Sequence, residues 1–359
     1  MKCVSLFSGC GGLDLGLTNA GFDVIFATDN SEVCSKSHSF NFPHTRFHLG
    51  GIETVTRDFL LKEFKSTQAG EIDLLAGGPP CQSFSKSRFY RKEKPRALED
   101  PNGMATIQGY LRTLAVLKPK AFILENVAGF TFKNQKEAFD LVKRTAEDLG
   151  YSCSWMVVNA AHYGVPQIRQ RFFMIGVTNG AFAFPQATHF ESPVNGSNEK
   201  KWVSAGDVIC DLDSEENACD EGHFAGGKHH ELLKEIPPGE NYLFFTEKRG
   251  HPNPQFKWRS RYWSFLLKLS PDLPSWTIQA RRSNNMGPLH WRNRILRIEE
   301  VKRLQTFPDD FYLSGTTEQQ WHQVGNAVPP LLAEVLGCSI KRHLMGYCDG
   351  PNERSKELV

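Results

Sequence analysis

Short β-rich runs alternate with helical patterns through the first half of the chain, and this alternation restricts the possible folds more than any other feature. A succession of strand, helix and strand is typical of a parallel sheet covered by helices. The predicted strands are Cys3–Phe7, Val24–Thr28, Ile72–Ala76, Ala121–Leu124, Trp155–Asn159 and Phe172–Val177. The pattern predicts an α/β domain with a largely parallel sheet.

Three helices stand out from the spacing of their apolar residues. Asn134 can cap the first, which stops at Gly150. Residues 299–304 and 331–344 predict two more, the earlier of them ending before Pro308. The apolar face of the first helix consists of Phe139, Val142, Ala146 and Leu149.

The alternation fades after Val177 into a stretch rich in Gly, Pro, Ser and acidic residues. With 359 residues and 40% hydrophobic content, the chain is long enough for a second domain. We predict a first domain over residues 1–177, an irregular second domain over 178–280, a return segment over 281–348 and a disordered tail over 349–359.

Charge is unevenly distributed along the second half. Residues 203–240 contain ten acidic side chains against two lysines, whereas residues 241–297 contain eleven Lys or Arg against two acids. Tryptophan, tyrosine and phenylalanine side chains are interleaved with the basic ones. The basic segment is a candidate phosphate-binding surface. A solvated basic face over a small aromatic core is the alternative.

The composition also limits location and metal content. No apolar run approaches the roughly 18 residues of a membrane span, and the chain begins without a signal-peptide core. The nine cysteines form no CxxC pair and show no zinc-ligand spacing. We therefore expect a cytoplasmic protein with reduced thiols, no metal and no membrane partner.

One cysteine follows a predicted strand in a stiff loop. The apolar run Ile72–Ala76 leads into Gly77-Gly78-Pro79-Pro80-Cys81-Gln82-Ser83-Phe84-Ser85. The prolines fix their own φ angles, and the glycines let the backbone approach a ligand closely. A lone cysteine is usually a small core residue. The prolines and the polar run around this one favour a nucleophile.

A glycine-rich turn joins the first predicted strand to a helix that begins near Leu13. Free backbone N–H groups at such a turn can face a ligand. Asp29 ends the next strand, where a carboxylate can bind ribose hydroxyls. The turn alone predicts a nucleoside-type ligand, and a nicotinamide dinucleotide or a purely structural turn fits it as well. An exposed thiol at a neighbouring strand end favours S-adenosylmethionine, because hydride transfer has no use for it.

In order along the chain, these motifs resemble those of the DNA (cytosine-5) methyltransferases, and the resemblance covers most of the chain. The Cys81 loop is similar to the family's nucleophile loop. The other matching motifs are Leu6-Phe7-Ser8-Gly9-Cys10-Gly11-Gly12-Leu13-Asp14, Glu125-Asn126-Val127, Gln167-Ile168-Arg169-Gln170-Arg171, Leu304-Gln305-Thr306-Phe307-Pro308 and Gly325-Asn326-Ala327-Val328-Pro329-Pro330. The resemblance implies a Rossmann-like catalytic domain, completed by the last helix, and a smaller target-recognition domain.

The resemblance also implies roles for individual residues. Cys81 would attack C6 of a flipped-out cytosine, and Glu125 would engage N3. Arg169 and Arg171 would bind O2 and position Cys81 or the adjacent phosphate. An exposed salt-bridging pair is the alternative for the two arginines, as a surface acid is for Glu125. The residues expected to bind S-adenosylmethionine, and its product S-adenosylhomocysteine, are Phe7, Ser8, Gly9, Cys10, Gly11, Gly12, Leu13, Asp29, Asn30, Ile52, Pro80, Asn326 and Ala327. The residues expected to contact DNA are Gln82, Ser85, Ser87, Arg88, Arg281 and Arg282.

Two positions depart from the family pattern. The chain has Gly51 where the family usually has an aspartate that meets the adenine amino group, so that contact must come from elsewhere or be absent. Asn102 replaces the arginine of an Asp-Pro-Arg-Gly run. Each substitution puts one expected contact in doubt.

The resemblance implies double-stranded DNA as substrate, a bacterial or viral restriction-modification or orphan setting, and a possible cognate restriction endonuclease that acts separately. We expect a monomer, associated with the nucleoid when it is on DNA. A tRNA cytosine-5 methyltransferase is the nearest alternative, and a catalytically silent DNA-binding family member comes next. A dinucleotide oxidoreductase is more distant.

Overall fold

The computed structural model of the chain describes residues 1–65, 70–80, 101–132, 136–213 and 222–347. Seven strands form the main sheet, and the short β7 lies outside it. In chain order the first eight strands are β1 (Lys2–Leu6), β2 (Asp23–Asp29), β3 (Arg46–Leu49), β4 (Leu74–Gly77), β5 (Ala121–Val127), β6 (Ser152–Asn159), β7 (Gln167–Ile168) and β8 (Gln170–Val177).

The main sheet is mostly parallel and has the spatial order β3-β2-β1-β4-β5-β8-β6. β1 to β5 pair in parallel, and β8 runs antiparallel to both β5 and β6. All six predicted strands are present, with ends that differ from the prediction by no more than three residues. The predicted α/β fold with a Rossmann-like, mainly parallel sheet is confirmed. The strand that the sequence did not reveal, β3, is a short edge strand of half-exposed and polar residues.

Ten α-helices lie within the described residues. They are α1 (Gly12–Asn19), α2 (Glu32–Asn41), α3 (Arg57–Glu63), α4 (Pro101–Leu117), α5 (Lys136–Asp148), α6 (Ala205–Ile209), α7 (His230–Glu235), α8 (Ile298–Leu304), α9 (Thr317–Asn326) and α10 (Pro330–Leu344). The three predicted helices correspond to α5, α8 and α10. Gly150 follows α5 with a φ of 91°, as a helix stop requires, whereas the predicted cap Asn134 is outside the described residues. None of the described helices combines the length and apolar character needed to span a membrane.

The last helix packs directly on the first. A Cβ added at Gly16 of α1 would collide with the carbonyl of Pro330 and with Ala333, so glycine permits the close approach of α1 and α10. Pro330 opens α10, and the Thr306 hydroxyl accepts a hydrogen bond from Leu331 N at 3.1 Å. The Leu304–Pro308 segment therefore caps α10 from a distance in sequence. The C-terminal helix lies beside α1 in the layer of helices on one face of the sheet.

The second half of the chain has little regular structure. Three further strands are short: β9 (His189–Phe190) pairs with β10 (Lys200–Lys201), and β11 (Ser275–Trp276) pairs in parallel with β7. Its apolar core includes Tyr242, Leu243, Phe245, Leu266, Leu289, Leu296 and Leu304. The domain boundaries near residues 177 and 280 stay predictions.

A buried charge network joins the acidic and basic segments of this half. Arg294 Nη2 donates to Glu300 at 2.6 Å and to Asp213 at 3.2 Å, and Arg292 reaches Asp213 at 2.7 Å. His290 lies against the same two carboxylates, 3.6 Å from Glu300 and 3.8 Å from Asp213. Asp213, His290 and Glu300 have the mutual spacing of metal ligands. The guanidinium of Arg294 already supplies a positive charge between the two carboxylates.

Candidate active site

The glycine-rich turn after β1 has an unusual backbone. Phe7 and Gly9 both have φ of 56°, and Gly11 has φ of 99°. Gly9 N donates to Asp29 Oδ2 and Ser31 N donates to Asp29 Oδ1, each at 2.9 Å. Burial raises the pKa of Asp29, and these backbone hydrogen bonds oppose the increase. Asp29 ends β2, where the sequence predicted it, and its carboxylate is held beside the turn.

The three glycines of the turn serve different purposes. A Cβ at Gly11 would collide with Phe42, and one at Gly12 would collide with the carbonyl of Val328. No described atom lies within 4 Å of a Cβ built on Gly9. Other residues therefore pack tightly against Gly11 and Gly12, whereas the space next to Gly9 is open, as a cradle for a small ligand requires.

A buried polar chain supports the turn. Ser8 Oγ lies 2.9 Å from Ser5 Oγ, Ser5 Oγ donates to Asp14 Oδ1 at 2.5 Å, and Asp14 Oδ2 lies 2.8 Å from His38 Nε2. Asp14 and His38 are completely buried. The network ties α1 to α2 beneath the turn. The sequence offered no signal for it, because its members are three to 24 residues apart and show no common pattern.

The remaining predicted cofactor residues divide into two groups. Cys10, Leu13 and Ile52 are buried, and burial raises the pKa of Cys10 well above its ordinary value. Asn30, Pro80 and Asn326 are exposed, and Ala327 is half-buried. The first group packs into the apolar core, and the second is accessible from the surface.

Glu125 lies near the carboxyl end of β5 and faces the end of β4. Its Oε1 is 3.1 Å from Arg171 Nε, and both side chains are mostly buried. A Cβ at Gly78 would come within 2.9 Å of Glu125 Oε2, so glycine at 78 leaves room for the carboxylate. Burial raises the pKa of Glu125, and the charges of Arg171 and Arg169 lower it. The structure therefore brings together Glu125, Arg171 and Gly78, which lies at the start of the Cys81 loop.

Asn126 anchors the start of that loop. Its Nδ2 donates to Pro79 O at 3.2 Å, and its Oδ1 accepts from Val127 N at 2.9 Å. The sequence identified Asn126 only as part of a motif, whereas the structure shows that its side chain holds Pro79 at the start of the loop. Residues 81–100 are outside the described residues, and with them the predicted nucleophile Cys81 and the predicted DNA contacts Gln82, Ser85, Ser87 and Arg88. The side chain of Asn102 is likewise not described.

The two arginines of the paired motif occupy different environments. Arg171 contacts Glu125 near the end of β5. Arg169 is completely buried, and its guanidinium donates to the carbonyls of Ile278, Gly325 and Ala327 at 2.8 to 3.0 Å. Arg169, between β7 and β8, therefore joins this part of the chain to Ile278 and to the motif around Asn326.

Part of the basic segment is structural. Lys268 is buried and donates to the carbonyls of Leu233 and Ile236, and Arg282 pairs with Glu318 at 3.2 Å. Arg281 is exposed. The exposed aromatic side chains of this region are Trp258, Tyr262, Trp263 and Trp276. Some charges of the segment therefore stabilise the fold, whereas Arg281 and these aromatic side chains lie at the surface, where binding to phosphates stays a prediction.

Comparisons with known proteins agree with the order of these motifs. A family model described as C-5 cytosine-specific DNA methylase matches residues 1–342. The chain is 39% identical to the Type II methyltransferase M.SacI of Streptomyces achromogenes, over 97% of this chain and 94% of that protein. It is 32% identical to the Type II methyltransferase M.MthTI of Methanothermobacter thermautotrophicus, over 96% of this chain and 98% of that protein.

Solved structures show the same fold at low sequence identity. A DNA modification methyltransferase encoded within an E. coli prophage superimposes with a TM-score of 0.68 at 23% identity, covering 96% of this chain and 99% of that one. The S. pombe Dnmt2 methyltransferase gives a TM-score of 0.62 at 18% identity, covering 96% and 99%.

Proposed function

The chain belongs to the C-5 cytosine-specific DNA methylase family, and from this premise we propose that it transfers a methyl group from S-adenosylmethionine to C5 of one cytosine within a specific sequence of double-stranded DNA. It is a DNA (cytosine-5) methyltransferase. The main support for this proposal is the Glu125–Arg171 pair, which faces the end of β4, where the Cys81 loop begins.

The glycine cradle suits S-adenosylmethionine. Asp29 presents a carboxylate that ribose hydroxyls can donate to, and the space above Gly9 is open. Ile52 gives an apolar wall, and Asn326 leaves an exposed amide at the end of α9. When bound, S-adenosylmethionine supplies an electrophilic methyl group on a sulfonium sulfur. The protein's part is to hold the donor beside the base.

Cytosine C5 is a poor nucleophile, so the enzyme must activate it. We propose that the Cys81 thiolate bonds to C6 and that the electron pair of the C5–C6 double bond moves towards N3, which leaves C5 with enamine character. An ordinary thiol has a pKa of about 8.5 and is only a few per cent thiolate at pH 7. The positive charge of Arg171 favours the thiolate if Cys81 lies within its reach. After C5 has received the methyl group, the hydrogen on C5 leaves as a proton. Its bonding electrons re-form the C5–C6 double bond, and the sulfur–C6 bond breaks to release the product.

Glu125 is proposed to stabilise the charge that develops on N3. A carboxylic acid can donate its proton to N3 and accept a hydrogen bond from the exocyclic amine. Burial raises the pKa of Glu125 and so favours the protonated form. Arg171 is proposed to bind O2 of the base. Arg169, which donates to backbone carbonyls, is proposed to be a positioning residue for the loop around Asn326.

The target carbon lies inside a stacked duplex, so the cytosine must leave the helix before it reacts, at a cost of a few kcal/mol. We propose that Gln82, Ser85, Ser87 and Arg88 contact the DNA around the extruded base. Arg281, together with the exposed aromatic and basic surface of the second half, is proposed to contact phosphates and base edges.

The biological setting is proposed from the relatives. Two of them are named Type II methyltransferases, which favours a restriction-modification role beside a separately acting endonuclease. We propose a monomer that acts in the cytoplasm on nucleoid DNA. The basic and aromatic insert favours DNA over tRNA as the substrate, and the presence of Cys81, Glu125, Arg169 and Arg171 opposes a silent DNA-binding protein.

Bisulfite sequencing of a DNA-methylation-free host that expresses the protein tests this function. We expect protection of one cytosine within one recurring sequence, and no protection in a host that expresses Cys81→Ser. Bisulfite sequencing of host tRNA in the same cells tests the alternative substrate. Methylated tRNA with unmethylated DNA would contradict the proposal.

A further inference from the structure

The turn that follows β3 begins beside the carboxylate of the cofactor cradle. Gly50 N donates to Asp29 O at 3.0 Å, which joins the end of β3 to the end of β2. Thr54 N and Thr54 Oγ1 both donate to Gly51 O, at 2.9 and 2.7 Å. Residues 50–54 therefore form a tight turn next to Asp29.

An arginine from α4 fixes the far side of this turn. Arg112 Nη2 donates to Ile52 O at 2.7 Å, and Arg112 Nε donates to Val55 O at 3.0 Å. Ile52 packs closely on Gly109 of α4, where a Cβ would collide with it. Because its backbone is held at both ends, the turn presents its side chains in defined directions.

The carboxylate of Glu53 fills the space that a side chain at position 51 would take. A Cβ built on Gly51 would overlap both carboxylate oxygens of Glu53. Gly51 does not have the left-handed φ that favours glycine, so the backbone conformation alone does not require a glycine there. Glu53 itself is solvent-exposed. The Glu53 carboxylate thus lies where the side chain of residue 51 would begin.

The sheet order indicates which part of the cofactor meets this carboxylate. The reacting end of the ligand must lie near Glu125 and Gly78, at the ends of β5 and β4. Its ribose belongs at Asp29, at the end of β2. Continuing outward in the order β5-β4-β1-β2-β3, the next strand end is that of β3. In this arrangement the base of the nucleoside would lie beside the turn of residues 50–54.

We infer that Glu53 recognises the adenine of S-adenosylmethionine by accepting a hydrogen bond from its exocyclic amino group, in place of a side chain at position 51. The inference rests on the proposed function, because it assumes this cofactor. Ile52 supplies apolar contact to the ring. A carbonyl at the same position of the base would face the carboxylate without a proton to share, so Glu53 also selects adenine over an oxo-purine.

Calorimetric titration of the full chain with S-adenosylhomocysteine tests the inference without relying on turnover. A second ligand is the analogue that carries purine, without the amino group, in place of adenine. For the wild type we expect about tenfold weaker binding of the analogue, the effect of one charge-assisted hydrogen bond. Glu53→Ala should bind S-adenosylhomocysteine about tenfold more weakly and should bind both ligands alike.

Two further variants complete the design. Glu71→Ala removes an exposed acid just before β4 and should behave as the wild type. Gly51→Asp in the Glu53→Ala background returns an acid to the same place, and we expect it to restore discrimination between the two ligands. If Glu53→Ala still distinguishes the ligands as the wild type does, the inference is wrong while the proposed cofactor stands. If the wild type binds neither ligand, the proposed cofactor itself is contradicted.

Discussion

Arg171 Nε lies 3.1 Å from Glu125 Oε1, and the two side chains are only 16% and 14% exposed. Burial favours the neutral acid, whereas the guanidinium favours the carboxylate. The balance between these effects sets how readily Glu125 holds a proton at neutral pH. A group that donates a proton to N3 of cytosine needs a pKa that its surroundings shift in this way.

Removing that guanidinium should change the pH dependence of methyl transfer. Arg171→Leu takes away a positive charge that lowers the pKa of Glu125, so the pKa rises further and the acid stays protonated to higher pH. We expect single-turnover rates to fall at least about 100-fold, from loss of the contact with the base, and the decline at high pH to begin later than in the wild type. Rate measurements between pH 5.5 and 9 check this.

Glu125→Gln is the control for that experiment, because an amide has no proton to lose in this range. It should be slow and should lack the Glu125-dependent limb of the profile. An unchanged high-pH limb in both variants would remove Glu125 from the proton chemistry.

Arg169→Ala should destabilise the fold. The substitution leaves the buried carbonyls of Ile278, Gly325 and Ala327 without their guanidinium donor, and it opens a cavity. We expect a loss of about 3 kcal/mol or more in the free energy of unfolding, measured by urea denaturation. The exposed Arg281→Ala should change it by less than about 0.5 kcal/mol. Equal stability of the two variants would show that the Arg169 contacts contribute little.

His290 should make the folded state sensitive to acid. Burial, and then the nearby Arg294, Arg292 and Arg297, lower the pKa of His290 to about 2. The folded protein keeps this imidazole neutral, whereas the unfolded chain protonates it below about pH 6.5. Its contribution to stability is therefore complete above pH 6.5 and is lost as the pH falls from there, by about 1.4 kcal/mol per pH unit.

Urea denaturation at several pH values between 4.5 and 7.5 measures this effect. His290→Asn removes the titrating group but keeps a polar side chain, so the free energy of unfolding should fall less steeply with acid in the variant. The comparison uses slopes and does not depend on the variant's absolute stability. Identical slopes would mean that His290 is protonated in the folded state as well.

Arg281→Ala tests the exposed part of the basic segment as a DNA contact. Loss of one phosphate contact should weaken binding to all sequences alike and reduce the slope of log Kd against log salt by about 0.9. Fluorescence anisotropy between 50 and 300 mM salt measures both, within roughly the range over which such effects are large. Arg144→Ala, an exposed arginine on α5, should leave the slope unchanged. A slope equal to that of the wild type would exclude Arg281 as a phosphate contact.

The fold was predictable because buried parallel strands are continuous apolar runs. The runs around Leu74 and Ile123 indicate such strands directly, and the positions of Asp29 and Glu125 follow from the strands that precede them. β3 was missed because Arg46 and His48 break its apolar pattern at the sheet edge.

Long-range polar contacts were not predictable in the same way. Two arginines separated by one residue suggest side chains on one side of a strand. Yet Arg169 bonds to carbonyls more than 100 residues away, which only tertiary packing decides. The burial of His290 between Asp213 and Glu300 has the same origin, since no local pattern relates these positions.

The central claim is the transient bond between Cys81 and C6 of the target cytosine, and DNA that carries 5-fluorocytosine at the target position tests it directly. Elimination requires the C5 substituent to leave as a cation, as hydrogen does and fluorine does not, so the bond to C6 cannot be released after methyl transfer. With S-adenosylmethionine present, we predict a protein–DNA adduct that survives denaturing electrophoresis, with mass spectrometry locating it on Cys81 and no adduct with Cys81→Ser. Methylation of ordinary DNA by the wild type without an adduct on the fluorinated DNA would contradict the account.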